Sequence, residues 1–195
     1  PYEPQKAKLV VREMTDLLVL DLVDKGLVTD QMVLTVGYDI ENLTDPARRA
    51  KYHGAVETDH YGRQIPKQAH GSINLDGHTS STRKIMCAVS ELFDRIVDKN
   101  LLVRRMYVVA NHVLPETDAP KKNDGAVQLD FFTDYAAEEE KQKAENAALE
   151  RERKIQKAAL AIKKKYGKNA ILKAMNLEEG ATAKDRNAQI GGHKA

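Results

Sequence analysis

Hydrophobic and polar positions in the first 40 residues recur first at helical spacing and then at strand spacing. Within residues 5–26 the apolar positions return every three or four residues, and Gly26 follows as a C-cap, which predicts an amphipathic helix. Its apolar positions are Val10, Val11, Met14, Leu17, Leu18, Leu22 and Val23. Residues 32–38 are short and rich in β-branched side chains, which predicts a strand.

The following residues predict a second set of the same elements. Residues 45–70 are polar and punctuated by Pro and Gly, as in a long loop or a loosely formed hairpin. Residues 71–75 form a weaker strand candidate, residues 79–82 offer several N-caps for a helix over 82–99, and residues 103–114 form a last strand. The apolar face of that helix consists of Ile85, Val89, Leu92, Phe93, Ile96 and Val97, and Cys87 is expected to be a small core residue.

This order of elements predicts an α+β, ferredoxin-like domain, in which an antiparallel sheet carries two helices on one face. The first strand of that fold would lie just before Pro1 and is expected to be missing. Residues 117–135 are rich in small and polar residues, as in an exposed linker. We therefore expect a domain over 1–116, a linker over 117–135 and a helical C-terminal extension over 136–195.

Within the extension, residues 136–166 are typical of a long charged helix with one narrow stripe of small and apolar residues. We name this stripe the alanine seam; it comprises Ala144, Ala147, Ala148, Ile155, Ala158, Ala159 and Ile162. Such a stripe suits docking on a partner or on another part of the chain. Residues 170–177 predict another short helical stretch after Gly167, and the basic run Lys163 to Lys165 fits a helix C-terminus.

Composition excludes several classes of protein. Of the 195 residues 42% are hydrophobic, which is enough for a real core, and no apolar run approaches the length of a membrane span. A single cysteine excludes an intrachain disulfide and fits a reducing cytoplasm. The histidines at 53, 60, 70 and 78 match no zinc spacing, so no metal site is expected.

Charge supports nucleic-acid binding only locally, because 31 Lys and Arg face 29 Asp and Glu over the whole chain. Between residues 48 and 84, seven basic side chains face three acidic ones, and two more basic residues begin the last strand. Such cations, with nearby polar groups, can contact phosphates without reading sequence. The candidates are Arg63, Lys67, Arg83, Lys84, Arg104 and Arg105, with Ser72 and Asn74 as hydrogen-bonding groups. An ordinary solvated surface is the alternative, and Ser81 and Thr82 fit helix caps better than phosphate ligands.

Three stretches together resemble the C-terminal little-finger domain of Y-family translesion DNA polymerases, in their UmuC-like branch. They are residues 12–27 with 36–39, residues 81–85 with 91–95, and residues 103–111 with adjacent Arg104 and Arg105. Residues 187–195 also resemble the tail of that branch. The resemblance implies a fragment of an error-prone polymerase that serves DNA repair, damage tolerance and the SOS response, with a little finger that lies across the template-primer duplex.

The same resemblance implies that catalysis lies elsewhere. In this family, palm carboxylates that hold two Mg²⁺ belong to an N-terminal region that this chain lacks. We therefore expect no catalytic residue and no cofactor here, and Mg²⁺ only in the parent enzyme.

A pentapeptide in the predicted linker, Gln128-Leu129-Asp130-Phe131-Phe132, resembles the segment by which bacterial polymerases bind the β sliding clamp. Such a segment can insert Leu129 and Phe132 into an apolar pocket while the Gln128 amide forms directed hydrogen bonds. Phe131 departs from the more usual aliphatic residue at the fourth position. The alternative is that the two phenylalanines fold back onto the chain's own sheet.

Other functions stay open from sequence alone. A protein-interaction or scaffold module with no nucleic-acid role is the main alternative. An RNA-binding sheet is less favoured because the strands offer only Tyr38 and Tyr107 for base stacking, and no constellation typical of a free-standing enzyme is present. Self-association through the missing-strand edge or the long helix is also open.

Overall fold

The computed structural model describes residues 1–120, 135–190 and 193–194. Its helices are α1 (Pro4–Lys25), α2 (Glu41–Thr44), α3 (Pro46–Lys51), α4 (Thr82–Ile96), α5 (Tyr135–Tyr166) and α6 (Ala183–Asn187), with 3-10 turns at Glu116–Asp118 and Ala174–Leu177. Its strands are β1 (Leu27–Tyr38), β2 (Val56–Thr58), β3 (Gln64–Pro66), β4 (Ala69–Thr79), β5 (Val103–Asn111), β6 (Leu114–Pro115), β7 (Gln189–Ile190) and β8 (His193–Lys194).

The main sheet is antiparallel, with β1 in the centre between β4 and β5, and β6 pairs with the start of β1. This architecture confirms the predicted α+β, ferredoxin-like class. At the outer edge of β5, Tyr2 and Val103 exchange two backbone hydrogen bonds of 2.8 Å. A single residue therefore lies where the sequence predicts the missing first strand. The polar stretch at residues 45–70 contains the hairpin β2–β3 as well as α3.

Helices α1 and α4 cover one face of this sheet. Alternate residues of β1, namely Met32, Leu34 and Val36, are fully buried beneath them. Each such apolar side chain contributes about 1.5–3 kcal/mol by burial, so this layer stabilises the fold substantially. From the helices, Val11, Val19, Ile85, Val89 and Leu92 complete the cluster.

Helix boundaries follow local chemistry at the predicted positions. Gly26 adopts φ 66° and its N–H donates to the carbonyls of Leu22 and Val23, which ends α1. The Ser81 hydroxyl accepts a hydrogen bond from the N–H of Lys84 and begins α4. Cys87 was expected in the core, and this prediction is wrong because the side chain is exposed. Two positions beyond Ile85, it points away from the sheet.

The chain after residue 135 returns to the helical face. Helix α5 packs against α1 and against the N-terminus of α4, but not through the alanine seam. Ile155 of the seam is 69% exposed, whereas Gln156 is buried. The face that docks is mainly polar because it meets the N–H groups, hydroxyls and cations that begin α4. The domain boundaries at residues 116 and 135 stay a prediction.

Candidate nucleic-acid interface

On the sheet face opposite α1 and α4 the side chains form three rows that cross the strands. Each row contains one residue from β4, one from β1 and one from β5. Strand pairing aligns Asn74, Gln31 and Asn111 in the first row. The second row is Ser72, Val33 and Val109, and the third row is His70, Thr35 and Tyr107. Tyr107 is 54% exposed and Val109 is 46% exposed, and none of the described helices packs on this face. We refer to these nine residues as the open face.

Cross-strand hydrogen bonds order the open face. Gln31 donates from Nε2 to Asn74 Oδ1 at 2.8 Å and accepts from Asn111 Nδ2 at 3.0 Å. His70 Nδ1 and Thr35 Oγ1 share a hydrogen bond of 2.8 Å. These bonds hold polar side chains across all three strands, so the face is both polar and preorganised. Ser72 and Asn74, predicted from sequence, both belong to it.

A cleft of about 390 Å³ adjoins the open face at the Gly37 end of β1. Arg63, Arg104 and Arg105 line it together with Asp39 and Asp59. The two consecutive arginines both reach it because Gly37 pairs with Arg105 and Tyr38 pairs with Val103, which leaves Arg104 as an extra residue in β5. Such a bulge breaks the strict alternation of side chains and lets neighbours reach the same rim.

The arginines of this cleft differ in how they are neutralised. Arg63 forms an ion pair with Asp59 at 2.6 Å, and this hydrogen-bonded contact holds the pKa of Asp59 below its usual range. Arg104 lies 3.8 Å from a carboxylate oxygen of Asp39. Arg105 and the exposed Lys67 form no ion pair with the side chains that the structure describes. Positive charge therefore remains available beside the open face.

The structure does not bring Arg83 and Lys84 to this cleft. Both lie at the start of α4 on the helical side, where Arg83 Nη2 contacts Glu145 at 2.6 Å and Lys84 Nζ contacts it at 3.1 Å. Hydrogen bonds from Lys84 and Arg83 hold the pKa of Glu145 below its usual range. Glu152 accepts in addition from the Ser81 hydroxyl at 2.6 Å and from the Arg83 N–H at 2.8 Å. Two carboxylates of α5 thus occupy the basic start of α4.

Several residues of the open face were not predicted as site residues. Gln31, Thr35, His70 and Asn111 belong to it, and only the alternation of polar positions along β1 hinted at Gln31 and Thr35. Identifying the rows required the register of the strands, which sequence alone does not give. The pentapeptide Gln128 to Phe132 lies outside the described residues.

Within 1–120, 135–190 and 193–194, no three His, Cys, Asp or Glu side chains gather as a metal site would require. In the same ranges no helix is long and apolar enough to cross a membrane.

Comparison with known protein families gives a match over most of the chain. The family model described as the impB/mucB/samB family C-terminal domain matches residues 2–131. That span contains α1 to α4, the main sheet, the open face and the arginine cleft. No curated protein and no solved structure matches the chain.

Proposed function

The chain belongs to the impB/mucB/samB family, as the C-terminal part of a UmuC-like Y-family polymerase, and on that premise we propose that it binds DNA and the sliding clamp for translesion synthesis. In this proposal the parent enzyme is an error-prone polymerase of DNA repair and damage tolerance. The chain grips the template-primer duplex and tethers the enzyme to the β clamp. Nucleotidyl transfer, with its Mg²⁺, belongs to the palm of the parent and not to this chain.

The observation that carries the DNA proposal is the uncovered polar face beside an arginine cleft. A polymerase must hold any sequence, so its contacts should go to phosphates and sugars rather than to base edges. Exposed Arg104, Arg105 and Lys67 supply cations, and Ser72 and Asn74 supply hydrogen-bonding groups. Arg63 can contribute once a phosphate competes with Asp59 for its guanidinium.

Arg83 and Lys84 are less available for DNA contact than the arginines of the cleft. Their side chains pair with Glu145, so they can meet a phosphate only by giving up that carboxylate. We expect their contribution to DNA affinity to be smaller than that of Arg104 and Arg105.

The first test measures the affinity of the chain for a fluorescent template-primer duplex by anisotropy at low salt. Replacing Arg104 and Arg105 together by Ala should weaken binding about tenfold or more and equally for unrelated sequences, because phosphate contacts carry no sequence information. Lys154→Ala, an exposed change on α5, is the matched control. Unchanged affinity of the double variant would remove the cleft from the interface.

The clamp proposal rests on the pentapeptide alone. Calorimetry of the chain with a bacterial β clamp should give micromolar binding or better, and replacement of Gln128, Leu129 and Phe132 by Ala should abolish it because the anchors are lost. Thr133→Ala, just outside the pentapeptide, is the control. If the chain bound neither the clamp nor duplex DNA at low salt, the scaffold alternative would be favoured.

A further inference from the structure

The helical side of the molecule carries a groove that the proposed function does not use. It lies between α1, α4 and α5, on the side of the sheet away from the open face, and has a volume of about 830 Å³. Its apolar lining comes from Met86 and Cys87 of α4, Ala148 and Ile155 of α5, and Met175. The groove therefore has an apolar lining and is bounded by α1, α4 and α5.

The groove exists because α5 docks through its polar face. Gln156 and Glu152 turn towards the start of α4, so the alanine seam on the neighbouring face is left in solvent. Ile155 of that seam is 69% exposed although it is a large hydrophobic residue. Small residues such as Ala148 beside it allow close approach of another backbone. Methionines at the base can adapt to different side chains.

The charged side chains at the rim of the groove indicate the charge of a partner that would fit it. Among the residues that the structure describes, five basic side chains line the groove, and Glu152 is the one acidic side chain there; its two oxygens already accept hydrogen bonds from Ser81 and Arg83. Lys8, Arg83 and Lys173 pair with Asp94, Glu145 and Asp16 respectively. Arg12 and Arg151 form no ion pair with the side chains that the structure describes. An occupant with acidic flanks would supply the missing partners.

We propose that this groove binds an acidic amphipathic helix of a partner protein. The apolar face of that helix lies against Met86, Ile155 and Met175, and its carboxylates meet Arg12 and Arg151. This is the helix-in-groove mode of recognition, in which apolar anchors at helical spacing provide affinity and flanking charges provide selectivity. Because the groove and the open face lie on opposite sides of the sheet, the partner and DNA can bind together.

Cys87 provides a direct readout, since it lines the groove, is exposed and is the only cysteine of the chain. The probe is a synthetic helical peptide with Leu at helical spacing and Glu elsewhere. The measured quantity is the rate at which a maleimide alkylates Cys87 of the full chain. Peptide at about nine times its Kd should slow alkylation about tenfold, because about nine-tenths of the chain is then bound. A peptide with the same Leu positions and Lys in place of Glu should not protect Cys87.

Two variants separate the charged and apolar contributions. Replacing Arg12 and Arg151 together by Ala should weaken the Leu/Glu peptide about threefold to thirtyfold, because each rim ion pair contributes modestly. Ile155→Asn should weaken it by a larger factor, because it removes an apolar anchor without changing the charge of the groove. Lys154→Ala, which lies outside the groove on the same helix, should leave binding unchanged. The exposure of Arg151 and Ile155 makes these changes compatible with folding, which thermal melting checks.

The remaining outcomes overturn the proposal. Equal protection by the Leu/Lys peptide, or full protection in the Arg12 and Arg151 double variant, would mean that the groove has no preference for acidic partners. Protection of Cys87 that grows with protein concentration in the absence of peptide would assign the groove to a second copy of the chain. Cys87 could also be protected from alkylation without peptide at every protein concentration. If deletion of residues 121–134 then removes that protection, the groove is assigned to this segment of the chain itself.

Discussion

Glu13 is a carboxylate with almost no exposure, 1%, on helix α1. It accepts hydrogen bonds from Asn176 Nδ2 at 2.9 Å, from the Thr182 N–H at 2.8 Å and from the Thr182 hydroxyl at 3.1 Å, and Arg186 lies 3.2 Å away. A buried carboxylate is costly unless it is fully hydrogen-bonded, and these groups offset that cost. All of them lie within residues 176–186, so one side chain fixes where that segment packs.

Replacing Glu13 by Ala should destabilise the protein by about 2–4 kcal/mol, because it leaves the partly buried Arg186 and Asn176 groups without their acceptor. The measurement is urea unfolding followed by circular dichroism. Glu179→Ala is a matched control, since Glu179 also joins this segment to α1, through Lys6 at 2.6 Å, but is exposed. The control should change stability little. Equal effects of the two changes would contradict the role assigned to Glu13.

The same carboxylate makes stability depend on pH. Burial raises the pKa of Glu13, but hydrogen bonds from Asn176, Thr182 and Ala183 together outweigh burial, so its pKa in the folded protein lies below the usual range. A lowered folded pKa adds stability above the unfolded pKa, and this contribution is lost as the pH falls through the folded value. The stability difference between the natural protein and Glu13→Gln should therefore be largest near neutral pH and should shrink in acid. Urea unfolding at several pH values checks this, and a constant difference would contradict it.

Local residue roles were predictable where neighbours in sequence decide them. Gly26 and Ser81 cap helices through groups at most four positions away, so their roles could be predicted. The role of Glu13 could not be predicted, because its place in the helical pattern indicates an ordinary exposed charge and its partner Asn176 lies 163 positions later in the chain. The prediction that Cys87 is a core residue was wrong for the opposite reason. Its residue type suggested burial, whereas its position on α4 places it on the outer face of the helix.

At the scale of elements, the docking face of α5 departs most from expectation. Hydrophobic periodicity selects the alanine seam, whereas the face that packs contains Glu145, Leu149, Glu152, Gln156 and Leu160. Periodicity measures apolar burial, and α5 packs on a surface of N–H groups, hydroxyls and cations, where carboxylates and carboxamides fit better. The strands show a similar limit. The run of β-branched residues predicted residues 32–38 of β1 but missed its first part, which contains polar residues and pairs partly with β6.

Gln156 should be the residue on which α5 docking depends most. Its Nε2 donates to the Ser80 carbonyl and to the Thr82 hydroxyl, both at 2.9 Å, and the side chain is buried. Gln156→Ala should weaken the docking of α5 by about 1–3 kcal/mol, because a buried acceptor is left unsatisfied. Hydrogen exchange of α5 measures this as faster exchange along the helix. Gln142→Ala removes an exposed glutamine on α5 whose Nε2 bonds to Asn146; it is the control and should leave exchange unchanged.

At the scale of the whole molecule, sequence identified cations and polar groups but not their grouping. Ser72 and Asn74 lie on the open face, and Arg63, Arg104 and Arg105 meet at one cleft. Arg83 and Lys84 looked equivalent in sequence, yet they lie on the helical side and pair with Glu145. The difference arises from the return of α5, which composition could not locate. Since the net charge is only +2, the proposed DNA binding would depend on this local grouping rather than on long-range attraction.

The salt dependence of DNA binding tests that grouping for the molecule as a whole. Each phosphate contact releases counterions, so log K falls with log salt by about 0.9 per contact. Arg104, Arg105 and Lys67 together predict a slope of about −3, and Arg105→Ala should reduce its magnitude by about one. Arg83→Ala should leave the slope unchanged, because Glu145 and Glu152 together balance the charges of Arg83 and Lys84 at the start of α4. Anisotropy titrations at several salt concentrations measure the slope for the natural protein and for each of the two variants. A reduced slope for Arg83→Ala would instead mean that DNA displaces Glu145, and the interface would then extend from the open face to the start of α4.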